Sequence, residues 1–147
     1  MITYIFTVPG NPRGKQRPRM TRQGHTYTPK ETVIYENLIK HEFASKYPDA
    51  EPTERPVMLQ ICAEYPIAES WTKSKKIAAM DMAIFPHKPD WDNVGKVVSD
   101  SLIGVAFRDD SQVFYATVLK RYSTRPRLTV LIKIFEEGET LENERNK

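Results

Sequence analysis

Cysteine is nearly missing from this chain. Cys62 stands alone, so no internal disulfide can form and no cysteine-based zinc cluster can be built. That usage fits a reducing cytoplasm. Long hydrophobic runs are missing too. None approaches the roughly 20 apolar residues that span a bilayer. The N-terminus also lacks the charged region, apolar core and small-residue cleavage site of a signal peptide. The expectation is a cytoplasmic protein with no membrane partner. There are no internal repeats and no low-complexity linkers. The 147 residues are expected to form one domain, large enough to bury a core without staples. At 39% hydrophobic and 28% charged residues, the composition does not point to disorder.

Acidic residues are absent from one region in particular. Residues 1–30 contain no Asp or Glu, yet they hold Arg13, Lys15, Arg17, Arg19, Arg22 and Lys30. The formal net charge is only +3, so this concentration matters more than the total. A cation-rich, acid-free segment points to a polyanionic partner. The opposite end is acidic, with Glu136, Glu137, Glu139, Glu142 and Glu144 close together. Residues 1–136 read as the folded domain, and 137–147 as a solvated, flexible tail.

Secondary structure follows from periodicity and punctuation. Met1 to Val8 is rich in β-branched and aromatic residues and predicts a strand. Pro9, Gly10, Pro12, Gly14 and Pro18 then break regular structure, leaving a basic loop. A helix is expected from Pro29, capped by Thr28, to about Lys46, burying Ile34, Tyr35, Leu38, Ile39 and Phe43. Pro56 to Tyr65 predicts a second strand. Ser70 is placed to cap a short basic helix carrying Lys73, Lys75 and Lys76. Ser111 to Tyr122 and Arg127 to Phe135 read as two further strands, with Arg125-Pro126 turning them into a hairpin. The order is β-α-β-α-α-β-β, an α+β fold with one mixed sheet and helices packed on it.

The segment His87 to Val113, HKPDWDNVGKVVSDSLIGVAFRDDSQV, gathers Asp90, Asp92, Asp100, Asp109 and Asp110 around Lys96. Read as a helix from Asp92 to Val105, it places Val94, Val97, Val98, Ser101, Leu102 and Val105 on one buried stripe. At 100° per residue, Asp92, Lys96, Ser99 and Asp100 fall on the other side. Asp90 and Asp92 would face the helix entrance, where the dipole favours carboxylates. Asp109 or Asp110, at the start of the following strand, could meet them. Converging carboxylates repel, and protonation or a divalent cation relieves the repulsion. An all-oxygen donor set suits magnesium or manganese. The plainer alternative is that the first pair caps the helix, the second pair shapes a turn, and Lys96 pairs with a neighbour one turn away. Trp91 and Phe107 could stack on exposed bases or simply pack on the sheet.

KPDWDNVGKVVSDSLIGVAFRDDSQV closely resembles the signature of the RusA family of Holliday-junction resolvases. PGNPRGKQRPRM and SWTKSKK resemble further family segments, and the likeness spans roughly residues 1 to 135. The resemblance implies a RusA-like fold and a small homodimeric, magnesium-dependent endonuclease acting on four-way DNA junctions in recombination and repair. By motif position it implies Asp90, Asp92 and Asp110 as metal ligands and Lys96 as the essential lysine. Two departures stand out. Trp91 occupies a position where an aliphatic residue is commoner, and the segment between Asp100 and the Asp pair is one residue shorter than in some members. Arg13, Lys15, Arg17 and Arg19, with Lys73, Lys75 and Lys76 as a second patch, are the expected phosphate contacts. A non-catalytic branched-DNA-binding module is the alternative from another class. An aspartyl phosphotransferase fits poorly, because proline interrupts the approach to Asp90.

Overall fold

The architecture comes from a computed structural model that describes residues 1–146. Strand β1 (Ile2–Pro9) alternates as half-buried strands do: Phe6 and Val8 are buried, while Ile5 and Thr7 face outward. Within the basic loop, β2 (Arg19–Met20) and β3 (Thr26–Tyr27) pair as a two-residue ribbon, where no regular structure was expected. Helix α1 (Lys30–Lys46) follows. Its capping position is Pro29 rather than Thr28 and makes no side-chain cap bond. It buries Thr32, Tyr35, Ile39 and Phe43. Ile34, expected inside, is 57% exposed.

Strand β4 (Val57–Pro66) carries an almost unbroken apolar run from Val57 to Ala63. Helix α2 (Lys73–Met80) is capped by Thr72, whose hydroxyl accepts from the Lys75 amide at 3.2 Å. Thr72 therefore takes the role that Ser70 was expected to fill. Helix α3 (Trp91–Leu102) ends earlier than Val105. Gly104, at φ +79°, turns the chain away in a conformation that costs other residues more. Strands β5 (Val113–Ser123) and β6 (Arg127–Ile134) complete the sheet, and a short α4 (Leu141–Arg145) closes the described chain.

The expected β5–β6 hairpin does not form. Strand order is β1-β6-β4-β5, with β4 parallel to β5 and antiparallel to β6. The short turn after β5 therefore carries the chain past the end of β4 before β6 begins. Burial explains the choice. β4 buries Val57, Leu59, Ile61, Ala63 and Tyr65 on one face and Met58 and Glu64 on the other, more than any other strand, and gains most from a central place. β5 is exposed from Phe114 to Thr117 and tolerates the edge. β6 buries Leu128, Val130, Ile132 and Ile134 on a single face, and β1 pairs along the edge away from β4.

Helices α1 and α3 lie side by side on one face of the sheet, α1 against β1 and α3 against β5. Val94, Val97, Val98 and Leu102 are fully buried there, together with Phe107. Phe107 is thus a core residue. The acidic tail makes contacts as well. Thr140 caps α4, Lys133 is ion-paired with Glu144, and the Met1 ammonium lies 3.6 Å from Glu136. Its last residue, Lys147, lies outside the described residues.

Leu102 anchors α3 from within the core. Leu102→Ala is expected to lower the unfolding free energy by about 2–5 kcal/mol. Urea unfolding would show this as a fall in midpoint with an unchanged slope.

Candidate active site

Helix α3 places the acid motif because its two sides differ. The valine and leucine stripe docks on the sheet, and Asp92, Lys96, Ser99 and Asp100 remain on the accessible side. Between α3 and the β4–β5 edge lies an open cleft of about 320 Å³. Trp91, Asp92, Lys96 and Asp100 line it from the helix, Asp110 lines it from the turn just before β5, and Val113 from the start of that strand. Residues from two separate segments therefore share one cleft, with Leu59 and Ile61 of β4 contributing apolar lining. Trp91 is 66% exposed at this site, so it does not serve the core.

The two members of the second Asp pair do different things. Asp109 caps a 3₁₀ turn (Asp110–Gln112), accepting from the Ser111 amide at 3.3 Å and from the Ser111 hydroxyl. These bonds hold its carboxyl below the usual range. Asp110 is the one that lines the cleft. Gln112 fixes this turn with four hydrogen bonds. Its Oε1 accepts from the amides of Arg108 and Asp109, and its Nε2 donates to the carbonyls of Thr53 and Arg55, all at 2.8–2.9 Å. Every donor and acceptor of the amide is used. In the sequence Gln112 stands out only as part of the motif, because two of its four partners, Thr53 and Arg55, lie far away along the chain.

Asp90 occupies the N-terminal capping position of α3, yet its carboxylate makes no cap hydrogen bond. It pairs instead with Lys88 Nζ at 2.8 Å, at the solvent-exposed surface. The Lys88 hydrogen bond and charge keep the Asp90 carboxyl below its usual range. Asp90 lines a second cleft, beside the basic loop, with Arg13, Lys88 and Asn93. The expected convergence of three carboxylates is therefore not assembled. Among the described residues, no group of three or more His, Cys, Asp or Glu side chains is arranged to hold a metal ion. The donor chemistry nevertheless fits a hard divalent cation, since Asp92 and Asp110 offer only oxygen from opposite walls of one open cleft.

The basic loop reaches this site by close packing. A Cβ on Gly14 would stand 2.8 Å from Pro89 Cβ and 3.1 Å from Asn93 Cβ, so only glycine allows the approach. The Lys15 amide donates to the Asn93 carbonyl at 2.8 Å. Lys15 Nζ lies 3.0 Å from Glu36 of α1 and 3.2 Å from Asp100 of α3, with its side chain only 16% exposed. Asp100 shares the same oxygen with Lys96, at 3.4 Å. Lys15 thus pins the loop to both helices, whereas Arg13, Arg17 and Arg19 remain exposed. On α2, Lys73 and Lys75 are exposed and Lys76 is half-buried, with the Lys75 ammonium 4.0 Å from the centre of the Trp71 ring. A further lysine, Lys120 of β5, carries no motif signal. Its ammonium donates to the carbonyls of His87 and Pro89, directly before Asp90.

The family model described as Endodeoxyribonuclease RusA matches residues 9–133. A Bacillus subtilis (strain 168) protein carrying the name Uncharacterized protein YqaN is 33% identical over 134 residues. That alignment covers 87% of this chain and 94% of the relative.

Burial alone would lower the Lys15 pKa, but hydrogen bonds to Glu36 and Asp100 outweigh it and raise the value above the ordinary lysine range. A raised lysine contributes its full stability below that range and loses it only as pH rises through the raised value. Lys15→Met is therefore expected to cost about 1–3 kcal/mol. The loss should stay constant between about pH 6 and 9 as far as this lysine governs it. Urea midpoints of the two proteins at several pH values test this, and coincident midpoints at neutral pH would show that the pin carries no weight.

Proposed function

The chain belongs to the RusA endodeoxyribonuclease family, and on that footing we propose that it is a divalent-metal-dependent endonuclease that resolves four-way DNA junctions in recombination and repair. The observation that carries this reading is the shared cleft, in which Asp92 and Lys96 of α3 meet Asp110 from the turn just before β5. Asp92 and Asp110 would hold Mg²⁺ or Mn²⁺, joined by Asp90 once its carboxylate leaves Lys88. Such an ion, when bound, supplies Lewis-acid polarisation of the scissile phosphate and an acidified water.

The chain's own residues do the rest. Lys96, with its side chain 59% exposed, presents a positive charge where negative charge builds on the phosphate oxygens. Asp100, ion-paired with that ammonium at 3.4 Å, keeps it on the cleft wall. Arg13, Arg17 and Arg19 grip backbone phosphates on the loop side, and Lys73, Lys75 and Lys76 do so from α2. Lys15 serves the same surface indirectly, by holding the loop in place. Two copies related by a two-fold axis would present one cleft to each of the paired strands that a four-way junction offers for cutting.

Incubating labelled synthetic junctions with and without Mg²⁺, beside linear duplex, tests the reading. Paired cuts in the junction that require the metal are expected. Asp92→Asn and Asp110→Asn should each slow cutting by about a hundredfold or more while leaving junction binding in a gel shift intact. Binding by the unaltered protein with no cutting in any divalent metal would leave only a branched-DNA-binding module. Reversing the charges of Arg13, Arg17 and Arg19 should weaken binding to every DNA sequence and flatten its salt dependence. An unchanged salt slope would remove the loop from the interface.

A further inference from the structure

Lys120 lies seven residues beyond the start of β5, outside every stretch that carries the motif. Its Nζ donates to the His87 carbonyl at 2.9 Å and to the Pro89 carbonyl at 2.8 Å. The segment it holds belongs to neither a helix nor a strand, so its carbonyls have no ladder to join. Two charge-assisted bonds to one short segment make a strong local restraint. The segment ends on Asp90, and the Asp90 carbonyl accepts from the amides of Asn93 and Val94 at 3.1 and 3.2 Å. Holding His87 to Pro89 therefore also sets the first turn of α3. The strand that supplies Lys120 begins just after Asp110, whose turn Gln112 clamps in place. One strand thus governs the position of Asp110 at its start and of Asp90 farther along.

We propose that Lys120 is a positioning residue, which staples the His87–Asp90 segment to β5 and so fixes the backbone from which the Asp90 carboxylate, once it leaves Lys88, can reach the cleft of Asp92 and Asp110. The inference rests on the reading of these carboxylates as metal ligands. With two of its protons committed to carbonyls, Lys120 acts through the backbone that carries Asp90. It does not act as a phosphate contact. Groups that orient metal ligands commonly govern affinity by about 10- to 100-fold.

The test compares the full-length protein with Lys120→Met, which keeps the stem and drops the donors, and with Lys120→Arg, which restores them. Without metal, hydrogen exchange at the Asn93 and Val94 amides should quicken by about tenfold or more in Lys120→Met and return toward normal in Lys120→Arg. Calorimetric Mn²⁺ affinity should fall by about tenfold or more, while gel-shift affinity for a junction in EDTA stays within about twofold. Should Lys120→Met fail to fold, Lys120→Gln, which keeps a neutral donor, takes its place in the same measurements. Unchanged exchange overturns the staple. Unchanged Mn²⁺ affinity in a loosened variant overturns the positioning role, and a large loss of junction affinity in EDTA reassigns Lys120 to the DNA surface. If the unaltered protein binds no Mn²⁺, the metal reading itself falls and the positioning role falls with it. That result is distinct from one in which the unaltered protein binds Mn²⁺ normally and the variant matches it.

Discussion

The structure depends on how α3 is buried. Val94, Val97, Val98 and Leu102 have no exposed surface, and each such side chain contributes roughly 1.5–3 kcal/mol by leaving water. That apolar contact fixes the helix's rotation about its own axis. Once the rotation is fixed, Asp92 and Lys96 must face the cleft. A shift of a single residue in the stripe would turn the carboxylates toward the sheet, where an unpaired charge is costly. Packing on one side of the helix thus determines the chemistry available on the other.

Around this helix, the entrance is held by groups from three directions. From the N-terminal loop come Gly14, through its close approach to Pro89, and Lys15, through Glu36 and Asp100. From β5 comes Lys120, onto the carbonyls ahead of Asp90. From the turn before β5 comes Gln112, which sets Asp110. Lysines in this protein therefore divide between two tasks. Lys15 and Lys120 are held inward on carboxylates or carbonyls, whereas Lys73, Lys75 and Lys96 keep their charge at the surface. Composition treats all of them alike, but their partners separate them.

Asp90 and Asp109 show how the same residue type in adjacent motifs takes different work. Both stand at capping positions. Asp109 caps its turn through Ser111, while Asp90 leaves the backbone amides alone and meets Lys88. A carboxylate tied up in capping is a poor ligand. One held chiefly by an exposed ammonium can change partner at little cost, because solvent screens an exposed ion pair.

Much was legible from residue order alone. The valine and leucine spacing in α3, the alternation in β1 and the apolar run of β4 are short-range patterns, set by the 3.6- and 2-residue periods of helix and strand. They determined the α+β class, the seven principal elements, and which side of α3 carries Asp92 and Lys96. Strand order was decided only in three dimensions, because β4 and β5 competed for the centre of the sheet and total burial settled it against the local hairpin. The same holds for the choice of Asp110 over Asp109 as cleft residue, the inward turn of Lys15 and the reach of Lys120. Each depends on a hydrogen-bond partner or packing neighbour distant along the chain, and no local period encodes where a long side chain finds its acceptor once the sheet has closed.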